Sequence, residues 1–317
     1  MTYKTLTICM LGVIAALGTL SASRGALTIN ATWDSSITSF SNAAAYQATI
    51  NKALTAIEGT ISNNITVKIL FANMGTGLGQ NATYEAGITY ARYRLDLLNN
   101  QKLSANDIMA LSTLPASVSP ISGDTYVDLT TPLCRALGET VGGNMYSSYD
   151  STVSVNLSIC NPNRTGTQIS GFYDLQAVVA HEVNEVLGIG GTGSQLGYST
   201  NNQVGVLDLF RFDGTNSRSF TTNSIASSYF SINNGSNSIA SFNQTALADY
   251  GDWGQLGFVQ SAYAAPNTVA NLASPEITAL DIVGWDLVTV PEPSPIGFCV
   301  LGFFAVAGVG MRRKYAK

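Results

Sequence analysis

Two apolar segments at the ends of the chain confine its folded part to about residues 27–290. The first segment, residues 6–20, follows the basic residue Lys4 and is itself followed by small residues. A basic start, a short apolar stretch and small residues are typical of a secretory signal peptide. The pattern predicts that residues 1–26 are a signal peptide and that the protein is exported.

The C-terminal segment carries a more specific pattern. Pro-Glu-Pro at 291–293 precedes an apolar run at 296–311, which ends at a basic cluster at 312–314. The run is shorter than the roughly 20 residues that span a bilayer, and the basic cluster is typical of a cytoplasmic stop. Residues 291–317 resemble the PEP-CTERM sorting signal of Gram-negative bacteria, with its transmembrane helix. The resemblance implies an exosortase as partner, a membrane-anchored precursor, and a cell-surface or extracellular destination. A permanent single-span anchor is the alternative.

The charge of the chain limits the classes of partner. Only 11% of the residues are charged, and the net charge is −5. Six of the 15 basic residues but only one of the 20 acidic residues lie in the two ends, so residues 27–290 carry a net charge of −10. Nucleic-acid-binding proteins need a surplus of basic residues, and this class is therefore excluded. The hydrophobic fraction of 45% is enough for the core of one globular domain.

Two of the four cysteines, Cys134 and Cys160, lie in the body of the chain. An even number of cysteines in an oxidising compartment favours a disulfide between them. Such a bridge would stabilise the fold by about 3 kcal/mol if it acts on chain entropy. A thiolate metal site is the alternative, but it needs closer spacing or more cysteines.

Hydrophobic periodicity in residues 27–290 predicts a mixed α+β fold. The predicted helices are 42–57, 85–99, 172–187 and 274–285, the last with Ser274 as its capping residue; the predicted strands are 65–71, 153–159, 229–232 and 238–242. The last two strands flank Asn234 and Gly235, a dipeptide that favours a hairpin turn. The glycines at 75, 77 and 79 lack the spacing of a nucleotide-binding fingerprint and predict a flexible surface loop.

The single histidine, His181, lies in the segment His-Glu-Val-Asn-Glu at 181–185. A single imidazole excludes any site built from two or three histidines. Because helical residues four apart share a face, His181 and Glu185 can converge on one ion. Glu182 lies a quarter turn away, where it can reach a water molecule held by that ion.

This spacing is that of the H-E-x-x-H zinc helix, with a carboxylate in place of the second histidine. Zinc accepts histidine nitrogen and glutamate oxygen at similar distances. Each anionic ligand lowers the effective charge of the ion, so that water at the site is harder to deprotonate and harder divalent ions compete better. The pattern predicts zinc, or another divalent metal, held by His181 and Glu185, with Glu182 as the general base. A structural histidine beside a solvated acidic helix face is the alternative.

The pattern continues as H-E-x-x-E-x-x-G up to Gly188, and two downstream segments, 207–211 and 280–285, accompany it. Together they resemble a group of predicted zinc metalloproteases among PEP-CTERM proteins and, more distantly, the metzincin zinc endopeptidases, whose pattern is H-E-x-x-H-x-x-G-x-x-H. The resemblance covers most of the body, from residue 42 to Trp285. It implies a metzincin-like metalloprotease domain with a mixed sheet and an active-site helix, acting on a peptide or protein substrate.

Two positions depart from the metzincin pattern. Glu185 stands at the second ligand position, and Gly191, at the third, has no side chain. Asp208, in one of the matching downstream segments, is the first candidate for the third ligand, and Asp213 and Tyr198 are further candidates. The alternative role for Asp208 is that of a structural carboxylate that bonds an arginine or backbone amides.

Other chemistries have weaker support in the sequence. A Ser-His-Asp triad would need the same histidine, and the sequence has no G-x-S-x-G elbow. No motif selects a carboxylate pair for glycoside hydrolysis. The polar stretch 215–245 is typical of exposed turns, with a sugar-binding surface as the alternative. The sequence therefore predicts an exported metal-dependent peptidase, with a non-catalytic surface or extracellular-matrix protein on a degenerate peptidase scaffold as the second hypothesis.

Overall fold

The computed structural model describes residues 27–99, 102–116, 118–121, 123–140, 148–164, 169–198 and 202–288. The predicted signal peptide and the predicted sorting signal lie outside these residues. Within the described ranges, no helix is both long enough and apolar enough to cross a membrane. Residues 27–288 belong to one compact unit.

The described residues form a mixed α+β fold, as the sequence predicts. The helices are α1 (Ser35–Thr38), α2 (Ala43–Glu58), α3 (Tyr90–Asn99), α4 (Ala105–Thr113), α5 (Thr131–Ala136), α6 (Leu175–Val186) and α7 (Ser274–Val283). The strands are β1 (Thr28–Trp33), β2 (Thr66–Asn73), β3 (Gly79–Thr83), β4 (Glu85–Thr89), β5 (Tyr126–Thr130), β6 (Ser151–Val155), β7 (Cys160–Asn161), β8 (Tyr173–Asp174), β9 (Gln203–Gly205), β10 (Arg211–Gly214), β11 (Ser217–Arg218), β12 (Tyr229–Phe230) and β13 (Ala240–Ser241). Short 3-10 helices lie at Leu157–Ile159, Gly190–Gly193 and Leu207–Phe210.

The main sheet has the strand order β1-β2-β6-β3. Strands β1, β2 and β6 are parallel, whereas β3 runs antiparallel to β6 at the edge. Alternate residues of β2, namely Val67, Ile69 and Phe71, are fully buried because successive side chains of a strand point to opposite faces. The predicted strand 65–71 is thus confirmed as β2.

Helix α6 contacts α2, β3 and β6 and carries the residues of the candidate site. Its apolar positions, among them Val179 and Val183, are fully buried. The side chain of Asp174 caps its first turn, and the helix ends before Gly188, whose φ of 94° is a conformation that glycine adopts without strain. The predicted helix 172–187 is confirmed, with a later start. The burial of this apolar face therefore determines which side chains of α6 point towards β3.

Two smaller sheets lie beyond the main sheet, with the strand orders β4-β5-β9 and β11-β10-β12-β13. Strands β12 and β13 are antiparallel and form the predicted hairpin. Asn234 and Gly235 in its loop have φ angles of 58° and 78°. Asparagine and glycine take these positive angles most readily, which is why the dipeptide predicts the turn.

The structure corrects four local expectations. The predicted helix 85–99 is the strand β4 in its first part, because this segment pairs with β5. The predicted strand 153–159 ends early and continues as a 3-10 helix. Gly79 begins β3 instead of lying in a surface loop, and α7 is capped at Ala273 because Ser274 is already its first helical residue. The first and third corrections arise from strand pairing with distant residues, which local periodicity does not report.

The structure also corrects the predicted disulfide. Cys134 and Cys160 are both free, and both are fully buried. Cys134 lies on α5, with its Sγ 3.9 Å from the carbonyl oxygen of Leu129, whereas Cys160 lies in β7. Burial raises the pKa of both thiols to about 12. The prediction failed because an even number of cysteines carries no information about where the fold places them.

Candidate metal centre

A backbone hydrogen bond orients the imidazole of His181 on α6. Its Nδ1 lies 2.9 Å from the carbonyl oxygen of Val259, where Nδ1–H can donate. When the imidazole is neutral, this hydrogen bond leaves the lone pair on Nε2, the nitrogen that faces the nearby carboxylates. Metal-binding histidines are commonly oriented in this way, with the second ring nitrogen bonded to a carbonyl or carboxylate.

Three ligand atoms meet beside this imidazole. His181 Nε2 lies 3.6 Å from Glu185 Oε1 and 3.6 Å from Asp252 Oδ2. One donor atom from each residue lies within 4.8 Å of the other two. The 3.6 Å separations exceed hydrogen-bond length but approach the roughly 3.3–3.4 Å between ligands of a tetrahedral zinc with bonds of about 2.05 Å. One imidazole and two carboxylates in this arrangement could hold a divalent cation.

The third member, Asp252, is placed by contacts that come from far along the chain. Gln260 Nε2 donates to Asp252 Oδ1 at 2.9 Å and lies 3.4 Å from His181 Nε2. The backbone of Gln260 is fixed in turn, since its N–H donates to Glu276 Oε1 on α7 at 3.1 Å and its carbonyl accepts from Trp253 N at 2.8 Å. Helix α7 thereby holds the aspartate against α6.

A fully buried arginine holds the loop before Asp252. Arg211 donates to the carbonyl oxygen of Tyr250 at 2.7 Å and to that of Asn243 at 3.2 Å. Its guanidinium also lies 4.3 Å from the ring centroid of Phe242. Together these contacts tie the loop to β10, from which Arg211 projects.

Glu185 is held by donors on both carboxylate oxygens. Gly191 N donates to Oε1 at 2.8 Å, and Asn81 Nδ2 donates to Oε2. A Cβ at position 191 would lie 2.5 Å from Glu185 Oε1 and 2.9 Å from Asp249 Cγ. In the metzincin pattern the third histidine stands at the position of Gly191. Here the space that a side chain at 191 would fill holds the carboxylate of Glu185, and only glycine leaves room for it.

Glu182, the predicted general base, lies on the same helix and faces the edge strand β3. Its Oε2 accepts a hydrogen bond from Asn81 Nδ2 at 3.4 Å. A Cβ on Gly79 would lie 2.4 Å from Glu182 Oε1. Strand β3 therefore covers Glu182 closely, and Asn81 contacts both glutamates of the helix.

The electrostatics of the site reflect an excess of carboxylates. Burial, followed by the charge of Glu185, raises the pKa of Glu182 to about 8. Burial also raises the pKa of Asp252 to about 8, against the opposing effect of His181. Burial lowers the pKa of His181, but the charges of Asp252 and Glu185 outweigh it and raise that pKa well above its usual value. Among the described residues, no lysine or arginine pairs with these carboxylates.

The remaining candidates from the sequence are not among the three residues that converge. Asp208 is buried and accepts hydrogen bonds from Ser194 Oγ at 2.6 Å and from two backbone N–H groups, those of Gln195 and Gly205, at 2.8 and 2.9 Å. It is not part of the three-residue group, and its contacts correspond to the structural role that the sequence left open. Asp213 is exposed on β10. Tyr198 lines the cleft, but its hydroxyl donates to Asp249 Oδ1 at 3.3 Å.

Sequence reasoning missed three residues that complete the site. Asp252, Asn81 and Gln260 lie in a loop, an edge strand and another loop, and none has a motif around it. The only local signal is the run Asp-Tyr-Gly-Asp at 249–252, in which two acids flank a tyrosine and a glycine. Nothing in that run indicates contact with α6, because the contact depends on long-range packing.

A cleft of about 780 Å³ surrounds the group. Residues of β3, α6 and the segment 256–270 line it, and His181, Glu182, Glu185 and Asp252 all face it. Catalytic and ligand-binding sites are commonly clefts of this size with a few convergent polar groups on an apolar wall. The buried donors are therefore accessible to a ligand from this side.

Comparisons with known proteins assign no family to the chain. No protein-family model, no curated protein and no solved structure matches it. The geometry of the cleft and the pattern of the sequence are what any functional assignment rests on.

Proposed function

We propose that this protein is a metal-dependent peptidase with a metzincin-like domain, in which His181, Glu185 and Asp252 hold a divalent cation. The observation that carries the proposal is the convergence of His181 Nε2 with one oxygen of each carboxylate inside a cleft. Asp252 takes the place that the sequence suggested for Asp208. Zinc suits this nitrogen and oxygen set, and harder divalent ions such as Mn²⁺ are its competitors.

The donor set fits a cation better than it fits a metal-free arrangement. Three buried carboxylates, those of Glu182, Glu185 and Asp252, share the neighbourhood of one imidazole. Like charges in a low-dielectric site repel, and a divalent cation between them would remove that repulsion. A bound ion would polarise a substrate carbonyl and activate water at the same point.

Glu182 is the proposed general base. It lies next to two of the proposed ligands, and its carboxylate faces the cleft while Asn81 holds one of its oxygens. Removing a proton from the attacking water and returning it to the leaving amine is the work of such a group, and it contributes about 10²–10⁴-fold to rate. Asn81 fixes the orientation of Glu182 relative to Glu185, because it donates to both.

The edge strand supports a peptide as the substrate. Strand β3 ends the order β1-β2-β6-β3, and within the described residues no strand pairs with its outer side. Residues 78–83, which include β3, line the cleft. An extended peptide can pair with the free backbone groups of such an edge, which would hold a scissile carbonyl near Glu182.

The two chain ends support export as part of the proposal. Residues 1–26 would direct secretion, and residues 291–317 would serve as the sorting signal for an exosortase, with a membrane-anchored precursor and a cell-surface or extracellular product. This part rests on the sequence pattern alone. A short apolar stretch behind a basic start and a Pro-Glu-Pro with a basic stop are what support it.

The test combines metal analysis with peptide hydrolysis by the purified protein. We expect one equivalent of bound zinc or another divalent metal, and hydrolysis of a peptide library that Glu182→Gln lowers at least about 100-fold without loss of metal. Glu85→Gln is the matched control, because Glu85 also lines the cleft but contacts none of the three ligands. Metal-free protein without turnover would refute the peptidase. Bound metal without turnover would support the alternative, a non-catalytic surface or matrix protein on the same scaffold.

A further inference from the structure

Gln260 has an unusual position beside the candidate metal centre. It is fully buried, and its side-chain amide points at two of the three proposed ligands. Nε2 lies 2.9 Å from Asp252 Oδ1 and 3.4 Å from His181 Nε2. No other amide side chain is in contact with these two ligand side chains among the described residues.

The other end of the same amide is unsatisfied. Gln260 Oε1 is buried and has no hydrogen-bond partner among the described residues. A buried acceptor without a partner is unfavourable, and such atoms are rare in folded proteins. The amide therefore donates from Nε2 to Asp252, while its acceptor atom, Oε1, makes no hydrogen bond.

From these contacts we propose that Gln260 supplies a fourth, amide-oxygen ligand to the metal, by turning its amide over when the metal binds. The inference rests on the proposed metal site. A half-turn about the Cγ–Cδ bond exchanges the positions of Oε1 and Nε2. Oε1 then takes a position close to 3.4 Å from His181 Nε2, a separation that two neighbouring ligands of one zinc ion can have.

The turn and the metal depend on each other. Without a cation, an amide oxygen beside the Asp252 carboxylate would place two acceptors in contact, so the amide keeps Nε2 towards the aspartate. With a cation bound, Asp252 Oδ2 and the turned Gln260 Oε1 would both be ligands, and the positive charge would offset the contact of the amide oxygen with Asp252 Oδ1. The amide orientation thus reports whether the ion is bound.

The surroundings leave room for this side chain and fix its backbone. A Cβ on Gly190 would lie 2.0 Å from Gln260 Nε2, so that only glycine at 190 admits the amide. The main-chain hydrogen bonds of Gln260 to Glu276 and Trp253 do not involve the side chain, so Gln260→Met removes neither their donor nor their acceptor. The site would then have one nitrogen and three oxygen ligands from the protein, and the water that Glu182 deprotonates would be a fifth ligand on the cleft side.

The test is a crystal structure of the full-length metal-loaded protein together with metal titration by calorimetry, using Zn²⁺ and Mn²⁺. We expect Gln260 Oε1 within about 2.5 Å of the ion. Gln260→Met, which keeps the length of the side chain but removes the amide, should lower metal affinity at least about tenfold. Gln244→Met is the matched control, because Gln244 also has a buried, unpartnered Oε1 but does not line the cleft, and it should bind metal as the wild type does.

Two results would overturn the inference while the proposed function stands: an ion bound with Gln260 Oε1 more than about 3 Å away, or wild-type affinity in Gln260→Met. If Gln260→Met does not fold, the wild-type structure still decides, since it needs no variant. A wild-type protein that binds neither ion would refute the proposed function itself, and with it this ligand. The two failures are therefore distinguishable.

Discussion

Replacing Gly79 by alanine tests the packing of the edge strand β3 on helix α6. The added Cβ would lie 2.4 Å from Glu182 Oε1 and 3.0 Å from both Glu182 Cδ and Val178 Cγ1. The backbone of Gly79 is not in the left-handed region, so alanine adds a steric contact without backbone strain. The effect of the substitution therefore measures how closely β3 covers Glu182.

The size of the effect follows from these distances. An ordinary carbon–oxygen contact is roughly 3.4 Å or more, so the overlap is about 1 Å. Forcing a methyl group into a packed site costs about 1–3 kcal/mol in the free energy of unfolding. A displacement of about 1 Å at a catalytic group can lower turnover about 100-fold. Either β3 moves away from α6, or the Glu182 carboxylate leaves its position.

The assay compares Gly79→Ala with Gly75→Ala, since a Cβ on Gly75 would meet nothing within 4 Å. Thermal unfolding should show a fall of about 2–4 °C for each kcal/mol lost. Peptide hydrolysis should fall about 100-fold, while metal affinity is retained because none of the three nearest atoms to the new Cβ belongs to a proposed metal ligand. If Gly79→Ala matches Gly75→Ala in both stability and turnover, the close packing of β3 on Glu182 is refuted.

Three further predictions concern other residues. Asp252→Asn should weaken metal binding at least about tenfold, as measured by calorimetry. Asp208→Asn should leave metal binding unchanged and lower the free energy of unfolding by about 1–3 kcal/mol in chemical denaturation, because it disturbs three buried hydrogen bonds. Burial raises the pKa of Asp128 to about 6, so the folded protein binds this proton more tightly than the unfolded chain. The free energy of unfolding should therefore fall as the pH rises from about 3.8 to 6, and Asp128→Asn should remove this part of the pH dependence in chemical denaturation. Cys134 and Cys160 should both react with a thiol reagent only after unfolding, and a mass consistent with a disulfide in the native protein would contradict the structure.

The third-ligand problem shows how a local pattern misleads at long range. Asp208 was the natural candidate because it lies in a segment that resembles the metzincins, yet its carboxylate accepts three hydrogen bonds from Ser194 and neighbouring amides. Asp252, which has no motif, lies 3.6 Å from His181 Nε2. Both carboxylates are buried, and only their contacts distinguish the structural role of Asp208 from the ligand role proposed for Asp252.

Gly191 shows that a residue which looks like a defect in the sequence pattern can have a role in the structure. In the sequence, its lack of a side chain is only a missing ligand. In the structure, the space that a side chain would fill holds Glu185 Oε1, to which Gly191 N donates. The departure at the third position and the glutamate at the second are therefore compatible with each other, which alignment of the two motifs cannot reveal.

The sequence by itself determined the helix α6 and the spacing of His181, Glu182 and Glu185 upon it, because helical periodicity is local and depends only on neighbouring residues. It also determined the hairpin at Asn234 and the strand β2, for the same reason. Only the tertiary structure decided that Asp252 and Gln260 contact this helix and that Cys134 and Cys160 form no disulfide. Those outcomes depend on contacts between residues far apart in the chain, and a single sequence does not record which distant segments pack together.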